Sequence, residues 1–168
     1  MPASEGSKLG QAVQRTTVER TSDREVVVTR SVNGPARLVF QAFTQADLFQ
    51  RWWVPKSMGM KLLSCTLDAR VGGMYRLEFD VGGSEPMAFF GTYVDVTPHS
   101  RLAWTNDEGG DGGSVTTVTF EEAGGRTLVM VRETYPSKAA LDAAGTGAQD
   151  AMVETFAQLD ELLGALGG

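Results

Sequence analysis

The chain has 168 residues, 42% hydrophobic and 21% charged, with a formal charge of -6 at pH 7. That length is most simply one domain with a substantial core, and the proportions are those of an ordinary globular chain. The acidic balance argues against nucleic acid or an anionic membrane as partner, because phosphate binding needs a basic surface.

No apolar run nears the roughly 18 residues of a membrane-spanning helix. The N-terminal stretch also lacks the apolar core of a secretory signal. A single cysteine excludes an internal disulfide and fits a cytoplasmic location. Residues 1–15 are small, polar and aperiodic; they are expected to be a disordered lead-in to a single domain over 16–168.

From Thr16 the sequence turns strand-like, ending in Glu25-Val-Val-Val-Thr-Arg30. Asn33-Gly34-Pro35 starts a short helix whose buried face is Leu38, Val39, Ala42 and Phe43. Thr44 and Asp47 have the spacing of a capping box. The helix they would open carries Leu48, Phe49, Trp52 and Trp53 on one side and stops at Pro55.

Strands follow, each identified by alternation. Leu63, Cys65, Leu67 and Ala69 form one inward set, and Tyr75, Leu77, Phe79 and Val81 the next. Ala88, Phe90, Thr92, Val94 and Val96 are then expected to face inward, followed by Leu102 and Trp104. The acidic, glycine-rich run from Asn106 to Gly113 is expected to be a loop. Val118 and Phe120 mark another strand, Gly124-Gly125 a hairpin turn, and Thr127 to Tyr135 the last strand. Pro136-Ser137 then starts a short helix that Gly145 ends.

The C-terminal stretch from Gly145 to Leu166 is a long amphipathic helix. Met152, Phe156, Leu159, Leu163 and Leu166 recur at spacings of four and three, while Asp150, Glu154, Gln158 and Glu161 take the opposite, solvated side. Thr146 with Gln149 has the spacing of a capping box at its start. Short links between consecutive strands imply antiparallel pairing. The expected fold is therefore α+β: a curved antiparallel sheet of about six to seven strands wrapped on a long C-terminal helix. Two short helices follow the first strand. This is the helix-grip arrangement.

Several segments carry a family likeness: Arg51-Trp-Trp-Val-Pro-Lys56, Arg70-Val-Gly-Gly73, and Phe90-Gly-Thr-Tyr-Val-Asp-Val-Thr-Pro98 followed by Arg101-Leu-Ala-Trp-Thr105. Tyr135-Pro-Ser-Lys138 and Glu154-Thr-Phe-Ala-Gln-Leu-Asp-Glu-Leu-Leu163 complete the series. Taken in order, they resemble the activator of heat-shock-protein-90 ATPase homologue-like family of the SRPBCC superfamily, which includes START domains and the birch-pollen allergens. The resemblance spans about Val18 to Leu166. It implies a helix-grip fold with a cavity between sheet and long helix, and a hydrophobic or amphipathic small molecule as the partner. No cofactor is implied.

The residues offer a site consistent with that. Trp53 with Val54, Met58 and Met60 would form the mouth of a cavity, where flexible methionines suit varied apolar guests. Leu77, Phe79, Phe90, Trp104, Met130, Met152 and Phe156 would form its wall, although core packing alone would produce the same set. Arg132, Glu133 and Tyr135 would supply polar lining. The alternation leaves open which of Arg132 and Glu133 points inward, since Leu128 and Met130 compete with Val129 and Val131.

Other candidates are weaker. The only histidine, His99, sits in a Pro-His-Ser turn, so neither a triad nor a histidine-based metal cluster has the residues it needs. Asp107, Glu108 and Asp111 lack calcium-loop spacing. Cys65 lies on an apolar alternation and reads as a small buried hydrophobe.

The leading expectation is a cytoplasmic binding protein for a hydrophobic or amphipathic small molecule. A cyclase- or hydrolase-like enzyme would need an acid or base in the same cavity, for which Glu133 is the candidate. A co-chaperone role ranks third, because the polar lead-in is too short to form a second domain. An exposed sheet edge would allow a homodimer.

Overall fold

The computed structural model of the chain describes residues 16–80, 82–83, 85–107 and 113–167. The expected lead-in and residues 108–112 of the glycine-rich run lie outside them. The stretch expected to be one first strand is a hairpin, β1 (Thr17–Arg20) and β2 (Glu25–Val32). The polar sequence Thr21-Ser-Asp-Arg24 turns the chain, with the Arg24 amide donating to Ser22 Oγ at 3.2 Å. Arg20 holds the turn closed, donating to the carbonyls of Ser22 and Asp23 and to the Asp142 carboxylate.

Helix α1 (Ala36–Thr44) follows Pro35 and buries Val39, Phe40, Ala42 and Phe43. The second helix, α2 (Ala46–Phe49), is a single turn, and no capping box opens it. Thr44 Oγ1 instead donates back to the Phe40 carbonyl at 2.8 Å. The chain leaves the helical path after Gln50, which carries Trp52 into the core. There its indole is fully buried and donates from Nε1 to the Ala42 carbonyl at 2.9 Å. A 3-10 turn (Lys56–Met58) leads into the sheet.

The remaining strands are β3 (Lys61–Leu67), β4 (Met74–Asp80), β5 (Met87–Thr97), β6 (Arg101–Thr105), β7 (Val115–Ala123) and β8 (Arg126–Thr134). All eight form one antiparallel sheet in the order β1-β2-β8-β7-β6-β5-β4-β3. The β1–β2 hairpin accounts for the strand beyond the expected six to seven.

Two bulges upset the alternation. In β3 the register shifts between Leu62 and Ser64, which turns Leu63 out to solvent while Leu62, Cys65 and Leu67 pack on the core. In β5 it shifts between Tyr93 and Asp95. Val96 therefore packs on the core as expected, but every residue before the bulge is in the opposite phase. Phe89, Gly91 and Tyr93 face inward; Ala88, Phe90, Thr92 and Val94 do not. Phe90 lies on the outer face beneath the Arg76 guanidinium, 5.5 Å from its ring centre.

Gly91 lies two residues before this bulge, at a place where the backbone leaves no room for a side chain. A Cβ there would sit 1.7 Å from the Thr105 carbonyl oxygen and 2.8 Å from Tyr75 Cε1. Tyr75, the cross-strand partner of Gly91, covers the bare backbone and donates from its hydroxyl to the Thr105 carbonyl at 3.0 Å. Where the β5–β6 ladder opens, Thr105 Oγ1 accepts from the Thr92 amide at 3.0 Å.

Helix α3 (Lys138–Ala144) begins as expected at Ser137, whose Oγ accepts from the Ala140 amide, and ends at Gly145 with φ 67°. Helix α4 (Gly147–Gly167) lies across the concave face of the sheet. Met152, Phe156, Leu159 and Leu163 are buried as their spacing requires, and Leu162 joins them, but Leu166 is 39% exposed. The reading of its polar side needs two corrections. Gln158 is buried: its Nε2 donates to the Trp52 and Val54 carbonyls at 2.9 and 2.8 Å, and its Oε1 accepts from the Lys56 amide at 2.9 Å. Gln149 is also buried and forms no capping box, while Thr146 Oγ1 donates to the Asp150 carboxylate.

The C-terminal half of α4 is tied to β2 through Asp160, which pairs with Arg30 and accepts from the Asn33 amide at 2.8 Å. The core fills the space between α1, α4 and the sheet, around Val28, Phe43, Trp52, Val118, Phe120, Phe156 and Leu159.

Candidate functional site

The core does not fill the concave face completely. Toward the N-terminal half of α4 it opens into a cavity of about 450 Å³. Its apolar wall comes from every surrounding element: Phe43 and Phe49 from α1 and α2, and Trp53, Val54, Met58 and Met60 from the segment after them. Leu67, Leu77, Phe79, Phe89, Tyr93 and Trp104 come from the sheet, and Met152 from α4. The rings form a continuous set. Phe49 stacks on Trp53 at 4.7 Å, Trp53 meets Trp104 edge-on at 6.5 Å, and Trp104 meets Tyr75 and Tyr93 at 6.1 and 6.3 Å.

One end of the cavity is polar. Glu133 is buried in the wall and Arg132 faces outward, where it pairs with Glu25 at 2.9 Å. Strand pairing decides the orientation, because Glu133 lies opposite Val26 and Thr116, both fully buried, while Thr127, Val129 and Val131 share its face. Glu133 Oε2 accepts from Thr116 Oγ1 at 2.8 Å and Ser114 Oγ at 3.3 Å. Asn106 Nδ2 donates to the same two hydroxyls, and the Tyr75 hydroxyl lies 2.8 Å from Asn106 Oδ1. Across from them Gln149 Nε2 donates to the Tyr135 hydroxyl at 3.1 Å, and Gln149 Oε1 is buried with no hydrogen-bond partner. Burial raises the Tyr135 phenol above its ordinary value and the nearby Glu133 charge adds to this, against the bond from Gln149; the phenol keeps its proton at neutral pH.

Of the residues singled out in the sequence, Trp53, Met58, Leu77, Phe79, Trp104, Tyr135 and Met152 line this cavity, and so does Glu133. Three expected wall residues do not. Phe156 is fully buried beside Trp52, with ring centres 6.0 Å apart, in the packed part of the core. Phe90 is on the outer face because of the β5 bulge. Met130 alternates with the buried Val129 and Val131 and so falls on the outer face of β8. The sequence reading missed Phe89, Tyr93, Asn106, Ser114, Gln149 and Thr155. The bulge hid the first two; Asn106 and Ser114 flank a loop, and Gln149 and Thr155 lie on α4 beside residues of its polar side, where polar side chains are ordinary.

Cys65 packs against the core from β3, half-buried. Burial, with the Asp47 charge second, pushes its thiol from 9.0 up to about 11. At pH 8 that lowers the thiolate fraction about a hundredfold. The greater nucleophilicity of a more basic thiolate recovers roughly tenfold of this. Alkylation by iodoacetamide is therefore expected to run roughly tenfold slower than for a free thiol and to rise with a midpoint near pH 11. A midpoint near 9 would show that the site is open to water.

A curved sheet closed over a long C-terminal helix, with a cavity between them, is the helix-grip architecture of SRPBCC-like proteins. The chain belongs to the family described as Activator of Hsp90 ATPase homolog 1-like protein, whose model matches residues 33–164. It is similar in structure to a protein from Rhodobacter sphaeroides, with TM-score 0.79 and 20% identity, over 90% of this chain and 99% of the other. A protein from Staphylococcus epidermidis gives TM-score 0.73 at 24% identity, covering 89% and 94%. At these identities the likeness is one of fold. A Chromobacterium violaceum protein is 29% identical, with TM-score 0.66, covering 82% of this chain and 96% of the other. No curated protein matches the chain. No helix among the described residues is long and apolar enough to cross a membrane.

Proposed function

We propose that this chain is a cytoplasmic binding protein for a hydrophobic or amphipathic small molecule held between the sheet and α4. The observation that carries the reading is the cavity itself, about 450 Å³ with aromatic and methionine walls and one polar end. Such a volume lies within the ~300–1,000 Å³ of small-molecule sites. Kept empty and apolar, it would cost on the order of 10 kcal/mol at ~24 cal/mol per Å³, comparable to a whole domain's stability. Occupancy by a guest, or by water at the polar end, removes most of that cost. The cytoplasmic location is supported only by the single cysteine, which leaves the chain without a disulfide of its own.

The test is native mass spectrometry of the protein purified from cells, followed by identification of whatever is released on denaturation. A stoichiometric small molecule is the expected result, and adding it back at a hundred times its dissociation constant should stabilise the fold by ~2.7 kcal/mol. A protein that emerges without a guest, and whose melting temperature no apolar compound raises, would overturn the reading.

Glu133 gives a second reading some footing, since a buried carboxylate in the wall is where a cyclase- or hydrolase-like enzyme would place its base. Two hydroxyls already hold it, which favours a fixed structural or recognition role. Turnover that survives Glu133→Gln would remove it as a base. A homodimer through a sheet edge has less support. The edge strand β1 has four residues, and the other edge, β3, is bulged, both features that blunt edge pairing.

A further inference from the structure

Two side chains of α4, neither of them in the cavity wall, hold the segment after α2 against the helix. Gln158 fastens its root, at the carbonyls of Trp52 and Val54 and the amide of Lys56. Glu154 fastens its tip: the Ser57 amide donates to Oε2 at 2.9 Å and the Ser57 hydroxyl donates to Oε1. The hydroxyl first and the amide second hold the Glu154 carboxyl below its usual range, so it is a charged acceptor at neutral pH. Passing from Gln158 back to Glu154, the helix meets Val54, Lys56 and then Ser57, so the segment runs antiparallel to α4. Its continuation carries Met58 and Met60 toward the start of the helix, where the lining residues are Ala151, Ala148 and Gly147, too short to bond across. Met58 is 54% exposed although it lines the cavity, so the 3-10 turn is a wall one residue thick. Gly59 follows in the left-handed region, at φ 63°, with nothing within 4 Å of a Cβ.

We propose that a guest enters and leaves between this 3-10 turn and the first turns of α4, and that the Ser57–Glu154 pair is the latch on that port. This rests on the binding reading above and deepens it by assigning the way in. Opening requires only that residues 57–60 swing outward while Gln158 keeps the root of the segment in place. The bonds that break lie at the surface, where water replaces them. Neither latch residue touches the guest, and the closed arrangement is the same with the cavity empty or filled. The latch therefore governs how fast a guest exchanges and leaves its affinity alone.

The test compares the wild-type chain with Glu154→Ala, Ser57→Ala and the double variant; Glu161→Ala, an exposed carboxylate further along α4, is the control. Stopped-flow mixing with N-phenyl-1-naphthylamine, an uncharged fluorophore that brightens in apolar surroundings, gives the rates of entry and exit. In Glu154→Ala both rates are expected to rise together by roughly fivefold to tenfold, with the dissociation constant within about twofold of wild type. Ser57→Ala keeps the backbone bond and should show a smaller rise, and the double variant should match Glu154→Ala, since both remove one contact. Amide exchange gives a reading that needs no guest. Met58 and Gly59, which donate to the Pro55 and Lys56 carbonyls, should exchange faster in Glu154→Ala, while Lys56, held by Gln158, keeps its protection. Unchanged rates in Glu154→Ala, or a weaker affinity with an unchanged rate of entry, would overturn the latch while leaving a binding cavity in place. A probe that binds no variant, wild type included, would count against the cavity reading itself and against this inference with it.

Discussion

Gly91→Ala is expected to destabilise the protein by about 3 kcal/mol or more, at the upper end of the cost of overpacking. For a domain of this size that is a fall of roughly 6–12 °C in melting temperature. The added methyl would meet a backbone carbonyl at 1.7 Å, and a carbonyl in a strand cannot rotate away as a side chain can. Relief would require β5 and β6 to part, because moving the Tyr75 ring away would leave the carbonyl clash in place. Gly83→Ala is the control, since nothing lies within 4 Å of a Cβ there. Thermal melts followed by circular dichroism would decide the matter. A Gly91→Ala protein that melts with the Gly83→Ala control would show that the β5–β6 contact tolerates a side chain.

Gln158→Leu should cost about 2–4 kcal/mol even though it adds apolar volume to a buried site. The amide closes three backbone groups of the segment after α2: the carbonyls of Trp52 and Val54 and the amide of Lys56. Leaving partly buried backbone groups unpaired costs ~1–3 kcal/mol each, less whatever water recovers. The same segment carries Trp53, Met58 and Met60 into the cavity wall, so the variant should lose ligand affinity along with stability. Hydrogen exchange at the amides of residues 53–60 would register the loosening directly. Unchanged protection there would mean that the turn is held by its apolar contacts alone.

Both variants mark places where local pattern and tertiary structure part company. The spacing of Met152, Phe156, Leu159 and Leu163 defined the buried side of α4, and the alternation of Tyr75, Leu77 and Phe79 defined the inward face of β4, because each element is regular and lies on one apolar layer. Alternation has no means of registering an inserted residue. The bulges in β3 and β5 therefore turned Leu63 and Phe90 to the wrong face, and the second of them concealed Phe89 and Tyr93.

The misplaced glutamines have a different cause. A polar side chain on a helix reads as solvated unless its partners are known, and those of Gln158 lie about a hundred residues away along the chain. Gln149 fell at capping-box spacing from Thr146, yet its partner is Tyr135 at the end of β8. Strand β8 was open between two phases because Leu128 and Met130 are as apolar as Val129 and Val131. Only the pairing of Glu133 with the buried Val26 and Thr116 separates them.

The tryptophans have a practical consequence. The chain has three, and they form a single line of contacts: Trp52 to Trp53 at 5.4 Å and Trp53 to Trp104 at 6.5 Å. Indoles this close exchange excitation, so their near-ultraviolet dichroism and emission behave as one signal. Two of them line the cavity and Trp52 is sealed beneath α4, so a guest that touches Trp53 or Trp104 changes the signal of all three. The protein thus carries a label-free optical gauge of its own interior, able to register an arriving guest, or a departing one, in the time it takes to mix two solutions.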